Sequence, residues 1–308
     1  MISIVIPVFN EELLIDQLYS RTSEAMQKLE IPYEIICVND GSTDSSLEKL
    51  INWNRKDNRF KVVDLSRNFG HQKAILSGLN YAKGDYIGIM DGDLQDPPEV
   101  FESFYKKLVE GDFDVVYAVR KKRKESIFKK FSYWMYYRLL KYMSAENIPL
   151  DSGDFCLMTK RVKDHITKYP EQSLFIRGIR HWVGYKQVGL EYERDSRQAG
   201  ETKYSFAKLL QLAANGVFSF SNFPIKFLGS LGFFTIASTM IYAVYLFSKR
   251  MFWGEVPQGF TTLILAIIFF GGVQLVSIRI LGEYITRIYD ESRDRPLFVV
   301  KDFYSESD

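Results

Sequence analysis

The stretch Tyr86-Ile87-Gly88-Ile89-Met90-Asp91-Gly92-Asp93-Leu94-Gln95-Asp96-Pro97-Pro98-Glu99 runs from an apolar segment straight into a knot of carboxylates. The apolar part reads as a buried strand. Alternate strand residues point the same way, so Asp91 and Asp93 can aim at one spot just past its end. Like charges gathered there need a compensating cation. A polar turn ahead of two prolines needs none. The residues from Met90 to Glu99 leave both readings open.

Outward from this stretch, strands alternate with helices up to about residue 120. Ser3-Ile4-Val5-Ile6-Pro7-Val8 is a near-continuous apolar run, as a buried parallel strand should be. A helical segment runs to Leu29, and strands follow at 33–39, 60–65, 86–90 and 114–119. Helices are expected at 71–82 and 98–110, with another that Ser45-Ser46-Leu47-Glu48 starts by capping-box spacing. The pattern predicts a doubly wound α/β unit, whose ligands sit at the carboxyl ends of the strands. Asp40, Asp91, Asp93 and Arg120 all lie at or just after such ends. No GxxxxGK[ST] and no GxGxxG after a strand is present, which argues against an ATPase or a dehydrogenase.

Forty Lys and Arg against 38 Asp and Glu leave little net charge, so any basic surface is local, and no nucleic-acid partner is expected. Cys37 and Cys156 suggest neither a disulfide framework nor a zinc site, which fits a reducing compartment. The three His show no metal-ligand spacing. The first ten residues, MISIVIPVFN, read as a strand and not as a signal peptide.

The carboxyl-terminal third differs. Residues 227–247 and 260–278 carry no charge and are long enough, at about 1.5 Å per residue, to cross a hydrocarbon core of about 30 Å. Two membrane spans joined by a short link are expected. Lys203, Lys208 and Lys226 precede them and Arg279, Arg287, Arg293, Arg295 and Lys301 follow. The link offers only Lys249 and Arg250, so both chain ends are expected on the cytoplasmic side. Residues 126–143 mix aromatics with Lys129, Lys130, Arg138 and Lys141, and read as a basic interfacial helix; residues 204–226 are expected to lie along the same surface.

The segments Ile4–Glu11 (IVIPVFNE), Val38–Ser42 (VNDGS), Leu65–Gly70 (LSRNFG) and Asp91–Glu99 (DGDLQDPPE) together resemble glycosyltransferase family 2. Ser152-Gly153-Asp154-Phe155, Gly200-Glu201-Thr202-Lys203 and the pair of spans extend the likeness to its polyisoprenyl-phosphate glycosyltransferases, the bactoprenol glucosyltransferases among them, over nearly the whole chain. The resemblance implies a GT-A (Rossmann-like) domain at 1–203, an interfacial helix at 204–226, transmembrane helices at 227–247 and 260–281, and a cytoplasmic tail at 282–308. It implies that Asp91, Gly92 and Asp93 are the family's DxD. Asp91, Asp93 and Gln95 would then bind Mg²⁺ or Mn²⁺ on a nucleotide diphosphate. Pro7, Phe9, Glu11, Val38 and Asp40 match the nucleoside pocket. A helix cap is the bland alternative for Asp40, although Asp44 and Ser45 are better placed for it. Arg120 matches a phosphate-binding residue. Arg197 and Lys203 match a basic loop over the phosphates, in which Ala199 replaces an Arg of some members. Lys129 and Lys130 are assigned to the acceptor phosphate. Asp154 is implied as a catalytic base; a structural role ahead of the helix at 160–169 is its alternative, and an orienting role the third.

The activity expected from the resemblance is an inverting transfer of glucose from UDP-glucose to undecaprenyl phosphate, at the inner face of the cell membrane, for modification of envelope polysaccharide. UDP-N-acetylglucosamine, a modified aminosugar nucleotide, GDP-mannose, or a silent nucleotide-sugar-binding scaffold remain alternatives, and self-association is left open. A processive polysaccharide synthase would need QxxRW and several spans, and Arg177-Gly178-Ile179-Arg180-His181-Trp182 does not fit.

Overall fold

The computed structural model describes residues 1–120, 152–168, 174–193, 223–253 and 259–305. The expected interfacial helix at 126–143 and residues 204–222 lie outside them, as do Lys129, Lys130, Arg197, Ala199 and Lys203. The described residues fall into two compact units, one of 1–120, 152–168, 174–193 and 295–305, the other of 223–253 and 259–294.

The first unit is built on eight strands: β1 (Ile2–Val8), β2 (Tyr33–Asn39), β3 (Phe60–Leu65), β4 (Tyr86–Ile89), β5 (Val115–Arg120), β6 (Ser152–Thr159), β7 (Gln187–Tyr192) and β8 (Val300–Tyr304). They order as β7-β5-β6-β4-β1-β2-β3-β8 in one sheet. β1 and β2 are buried at every position, which explains their largely apolar runs: helices cover both faces. Those helices include α1 (Ile15–Gln27), α2 (Ser46–Lys56), α3 (His71–Tyr81), α4 (Val100–Glu110), α5 (Lys160–Lys168) and α6 (Ile176–Trp182). α3 packs closest. A Cβ on Gly78 would meet Val5 Cγ1 at 2.4 Å and Val38 Cγ2 at 2.9 Å, so a bare backbone is what lets this helix approach β1 and β2.

Two features depart from the expected alternation. β6 runs antiparallel between β4 and β5, and β8 runs antiparallel to β3, so the sheet is mixed. Asp154 therefore lies on a strand six residues before α5, not at a helix start. Residues 300–304, read as part of a tail, are instead a sheet strand, with Phe303 against Tyr81 at a ring separation of 4.3 Å. The capping box at Ser45 also fails. The Ser45 side chain makes no cap bond; Asp44 Oδ1 accepts the Ser46 N–H and Glu12 Oε2 accepts the Ser45 N–H.

The second unit contains α7 (Phe223–Trp253) and α8 (Phe260–Ser292), of 31 and 33 residues, or about 46 and 50 Å. Residues 223–226, expected in an interfacial helix, belong to α7, and 282–292 continue α8. Within α7, Leu228–Lys249 is long and apolar enough to cross a membrane. Phe233, Phe234, Met240 and Ile241 are exposed on it, while the hydroxyls of Thr235, Ser238 and Thr239 donate to carbonyls four residues back. An apolar exterior with its hydroxyls satisfied internally suits a hydrocarbon surrounding.

A buried acid ties β1 and β2 to the turn before β4. Glu34 Oε1 accepts the Ser3 hydroxyl at 2.6 Å and the Lys83 N–H at 2.8 Å, and Oε2 takes Lys61 Nζ. Burial favours the neutral acid, but these donors outweigh it and hold the carboxyl below its ordinary value of 4.5. A depressed folded pKa contributes stability that is full above the unfolded value and lost as pH falls through the folded one. Glu34→Gln is accordingly expected to cost about 1–3 kcal/mol at pH 7, with the gap to wild type closing below pH 4.5. Urea midpoints of the detergent-solubilised chain across pH 3–8 check this; a gap independent of pH would contradict it.

Candidate active site

The parallel strands deliver their carboxyl ends to one edge of the sheet. Pro7 and Val38, both buried, face each other in the β1–β2 register, and Phe9 stands exposed just beyond. The following loops are laced together: Asn10 N–H donates to Ser42 Oγ, Glu11 N–H to Ser46 Oγ, and Thr43 N–H to Asn10 Oδ1. Gly92 lies under Pro7, where an added Cβ would stand 2.9 Å from the Pro7 carbonyl oxygen. The expected nucleoside residues and the DxD loop thus share one region. Arg120 closes β5 at the same edge, its backbone one residue past the Val119–Ser152 pair.

Asp40 is buried, and both its oxygens are engaged. Oδ1 accepts the Phe69 N–H at 2.7 Å and Oδ2 the Gly70 N–H at 3.0 Å. Burial raises its pKa and the two backbone bonds oppose the rise. Its structural job is to fix the Arg67–Gly70 loop, close to Gly41, whose φ of +67° and contact with the Arg67–Asn68 peptide exclude a side chain. A bond to a base N–H would have to use its remaining lone pairs.

Asp154 reaches the edge through β6. The antiparallel register sets Ile89, the last residue of β4, against Cys156, so Asp154 lies at the edge where the chain runs on from β4 into Asp91. His71, the first residue of α3, stands between them with Nε2 3.5 Å from Asp91 Oδ1 and 3.5 Å from Asp154 Oδ2. Gln72 Nε2 donates to the same Asp154 oxygen at 2.7 Å. Burial would raise the Asp154 pKa, but the His71 bond and charge, then Arg177 and Gln72, bring it below the ordinary carboxylate value. Asp91 goes the other way. Burial, with the charges of Asp96, Asp154 and Asp93, pushes it up to about 6 against the opposing pull of His71. For His71, desolvation opposes the cation, but Asp154, Asp91 and Asp40 raise its pKa.

The DxD loop is braced. The Gln95 N–H donates to Asp93 Oδ1 at 3.2 Å, Leu94 takes a left-handed φ of 55°, and the buried Asp96 accepts the Tyr192 hydroxyl from β7. Among the described residues no three His, Cys, Asp or Glu side chains form a metal cage by themselves. Crowded acids with one carboxyl held well above its usual range are still a donor set that suits a hard cation, completed by oxygens of a bound diphosphate. His71, Gln72, Asp96 and Tyr192 went unread in the sequence. The available signal was position: His71 and Gln72 directly follow the loop after β3, at the ligand edge.

Residues 3–167 match the profile of glycosyl transferase family 2. An uncharacterized glycosyltransferase of Bacillus subtilis (strain 168) is 45% identical, the alignment covering 98% of this chain and 94% of that protein. The bactoprenol glucosyl transferase of Shigella phage SfV is 38% identical over 97% of this chain and 98% of that one. The glucosyl-3-phosphoglycerate synthase of Mycobacterium tuberculosis, solved with Mn²⁺, UDP-glucose and phosphoglyceric acid, superposes with a TM-score of 0.50 at 16% identity over 71% of this chain and 77% of that one, a likeness of fold. With its GT-A sheet and an acidic edge at the carboxyl ends of the strands, the chain belongs to glycosyl transferase family 2 and is a transferase enzyme.

Proposed function

We propose that this enzyme transfers glucose from UDP-glucose to a polyisoprenyl phosphate, undecaprenyl phosphate, at the cytoplasmic face of a membrane, with inversion at the sugar carbon. The reading rests on the convergence of Asp91, His71 and Asp154 at one sheet edge in a chain that aligns over nearly its full length with bactoprenol glucosyl transferases. Asp91 and Asp93, with Gln95, would hold Mg²⁺ or Mn²⁺, which when bound would neutralise the departing diphosphate. Arg120, Arg197 and Lys203 would share that charge, and Lys129 and Lys130 would receive the acceptor phosphate. Pro7, Phe9, Glu11, Val38 and Asp40 would form the nucleoside pocket. Purified protein incubated with labelled nucleotide sugars and undecaprenyl phosphate tests the whole reading: a glucosylated lipid from UDP-glucose is expected, and its formation only from another donor, or not at all, would refute it.

The membrane arrangement has a topological support. β3 and β8 pair in one sheet, yet α7 and α8 lie between them in sequence. A chain that leaves a sheet across a bilayer and returns to it must cross an even number of times. If α7 spans, α8 is the described helix long enough to return. Residues 1–222 and the chain after Arg287 should then be cytoplasmic. A Cys introduced by Gln258→Cys is expected to react with a membrane-impermeant thiol reagent in intact cells, and one at Ser307→Cys is not. The reverse pattern would overturn the topology.

Two side chains test the chemistry. Asp93→Asn should cut transfer by about 10²-fold or more with the melting temperature unchanged, because it removes a charged ligand. Near-wild-type turnover in chelator would exclude a metal role. Asp154, held ionised by His71 and Gln72, is a weak base. A phosphate monoester has its second pKa near 6 and hardly needs one. Asp154 is therefore assigned as an orienting group. Activity at sub-saturating lipid should rise with pH through about 6 as the acceptor ionises, in wild type and Asp154→Asn alike. A variant whose rate recovers only well above pH 7 would restore the base role.

A further inference from the structure

We infer that Gln72 is a positioning residue for transfer, because one side chain fixes both the Asp154 carboxylate and the first turn of α6. Its Oε1 accepts the Ile176 N–H at 2.8 Å while its Nε2 donates to Asp154 Oδ2 at 2.7 Å. The orientation of the amide follows from its partners. The Ile176 N–H can only donate, so the amide oxygen must face it and the NH₂ must face Asp154. Asp154 Oδ2 thus receives the Gln72 amide, with His71 Nε2 3.5 Å away, and its rotamer is pinned from the α3 side. Asp154 Oδ1 is buried, with no hydrogen-bond partner among the described residues. A buried carboxylate oxygen left unpaired costs free energy unless something completes it. One oxygen is fixed by the protein, and the other is enclosed and unpaired, so the carboxylate's position depends on the Gln72 side.

The same amide links two further parts. The Phe175 side chain makes no cap bond at the start of α6, so Gln72 supplies an acceptor for an N–H of that first turn. α6 carries Arg177, whose charge acts on Asp154. On the other side, Gln72 stands two residues past Gly70, which Asp40 holds by its N–H. A chain of contacts thus runs from Asp40 through the start of α3 to Asp154 and α6. Displacement of a catalytic group by about 1 Å can cost about 10²-fold in rate, so an alignment of this kind is read in turnover more than in donor affinity.

This inference rests on the assignment of Asp154 to the site, and substitution at Gln72 separates the two. Gln72→Glu keeps an acceptor for the Ile176 N–H but faces Asp154 with a second carboxylate. Gln72→Met removes both bonds at similar size. Full-length protein would be assayed at pH 8 for kcat and for KM of UDP-glucose, beside thermal melting. The expected result is a fall in kcat of about 10–100-fold for Gln72→Glu, with KM within about 2-fold of wild type and little change in melting. In an Asp154→Asn background, Gln72→Met should then cost less than about 3-fold more, because the group it positions is already altered. Wild-type-like turnover of Gln72→Glu beside an impaired Asp154→Asn would reduce Gln72 to a helix cap and overturn the proposal alone. A loss for Gln72→Met that multiplies fully with Asp154→Asn would overturn it as well, and serves as the test should Gln72→Glu fail to fold. Full activity of Asp154→Asn would instead remove the assignment beneath it.

Discussion

The antiparallel pairing of β6 with β4 is the constraint on which the site depends. It inserts a strand from beyond residue 150 between β4 and β5, two strands that precede it in sequence. The Ile89–Cys156 register then brings Asp154 to the carboxyl edge, where it and Asp91 flank His71. Side chains alternate along a strand, so a slip of one residue would turn Asp154 to the other face of the sheet. The register is held by burial: Phe155 packs among Phe101, Phe104 and Tyr192 on one face, while Cys156 and Met158 belong to the apolar cluster on the other.

Several carboxylates meet at the edge, and the fold answers each differently. Asp40 receives two backbone N–H groups, Asp96 a tyrosine hydroxyl, Asp93 a backbone N–H, and Asp154 an imidazole and an amide. Fixed dipoles of this kind cost no reorganisation when charge develops nearby, which is why such edges suit phosphate and leaving-group chemistry. Asp91 and Asp154 lie on either side of one imidazole, yet their carboxyl groups are shifted in opposite directions. At Asp154 the His71 and Gln72 partners outweigh desolvation, whereas at Asp91 desolvation and three neighbouring acids outweigh His71.

Much of this was legible in the sequence. Near-continuous apolar runs such as Ile2–Val8 mark strands covered on both faces, and the alternation with helices gives the parallel part of the sheet. The DxD loop was readable because its acids follow a strand directly. β6, β7 and β8 were not, because SGDFCLMT, QVGLEY and VKDFY mix polar, glycine and apolar residues without a run or an alternation that separates them from loops. The Ser45 capping box was a spacing match without a mechanism: Glu12 takes the Ser45 N–H that Glu48 would have accepted, and Asp44 takes the neighbouring Ser46 N–H. Gln72 was invisible for another reason. Its role depends on two partners about 80 and 100 residues away in sequence, and no local pattern announces a long-range hydrogen bond.

β6 and β8, the two antiparallel strands, do complementary work. Each returns the chain to a sheet it had left. β6 returns into the interior, where a strand is fixed on both sides, and it holds Asp154 in a defined place beside His71. β8 returns to an edge, pairs on one side only, and contributes no residue to the acidic cluster. Its contribution is connectivity, because it makes the segment holding α7 and α8 a closed excursion from the sheet and not a terminal appendage. A helix at a free chain end can satisfy an apolar exterior by crossing a bilayer once. A closed excursion that crosses at all must cross an even number of times. The pairing of Val63 with Phe303, a contact far from any chemistry, thereby constrains how the chain can meet a membrane.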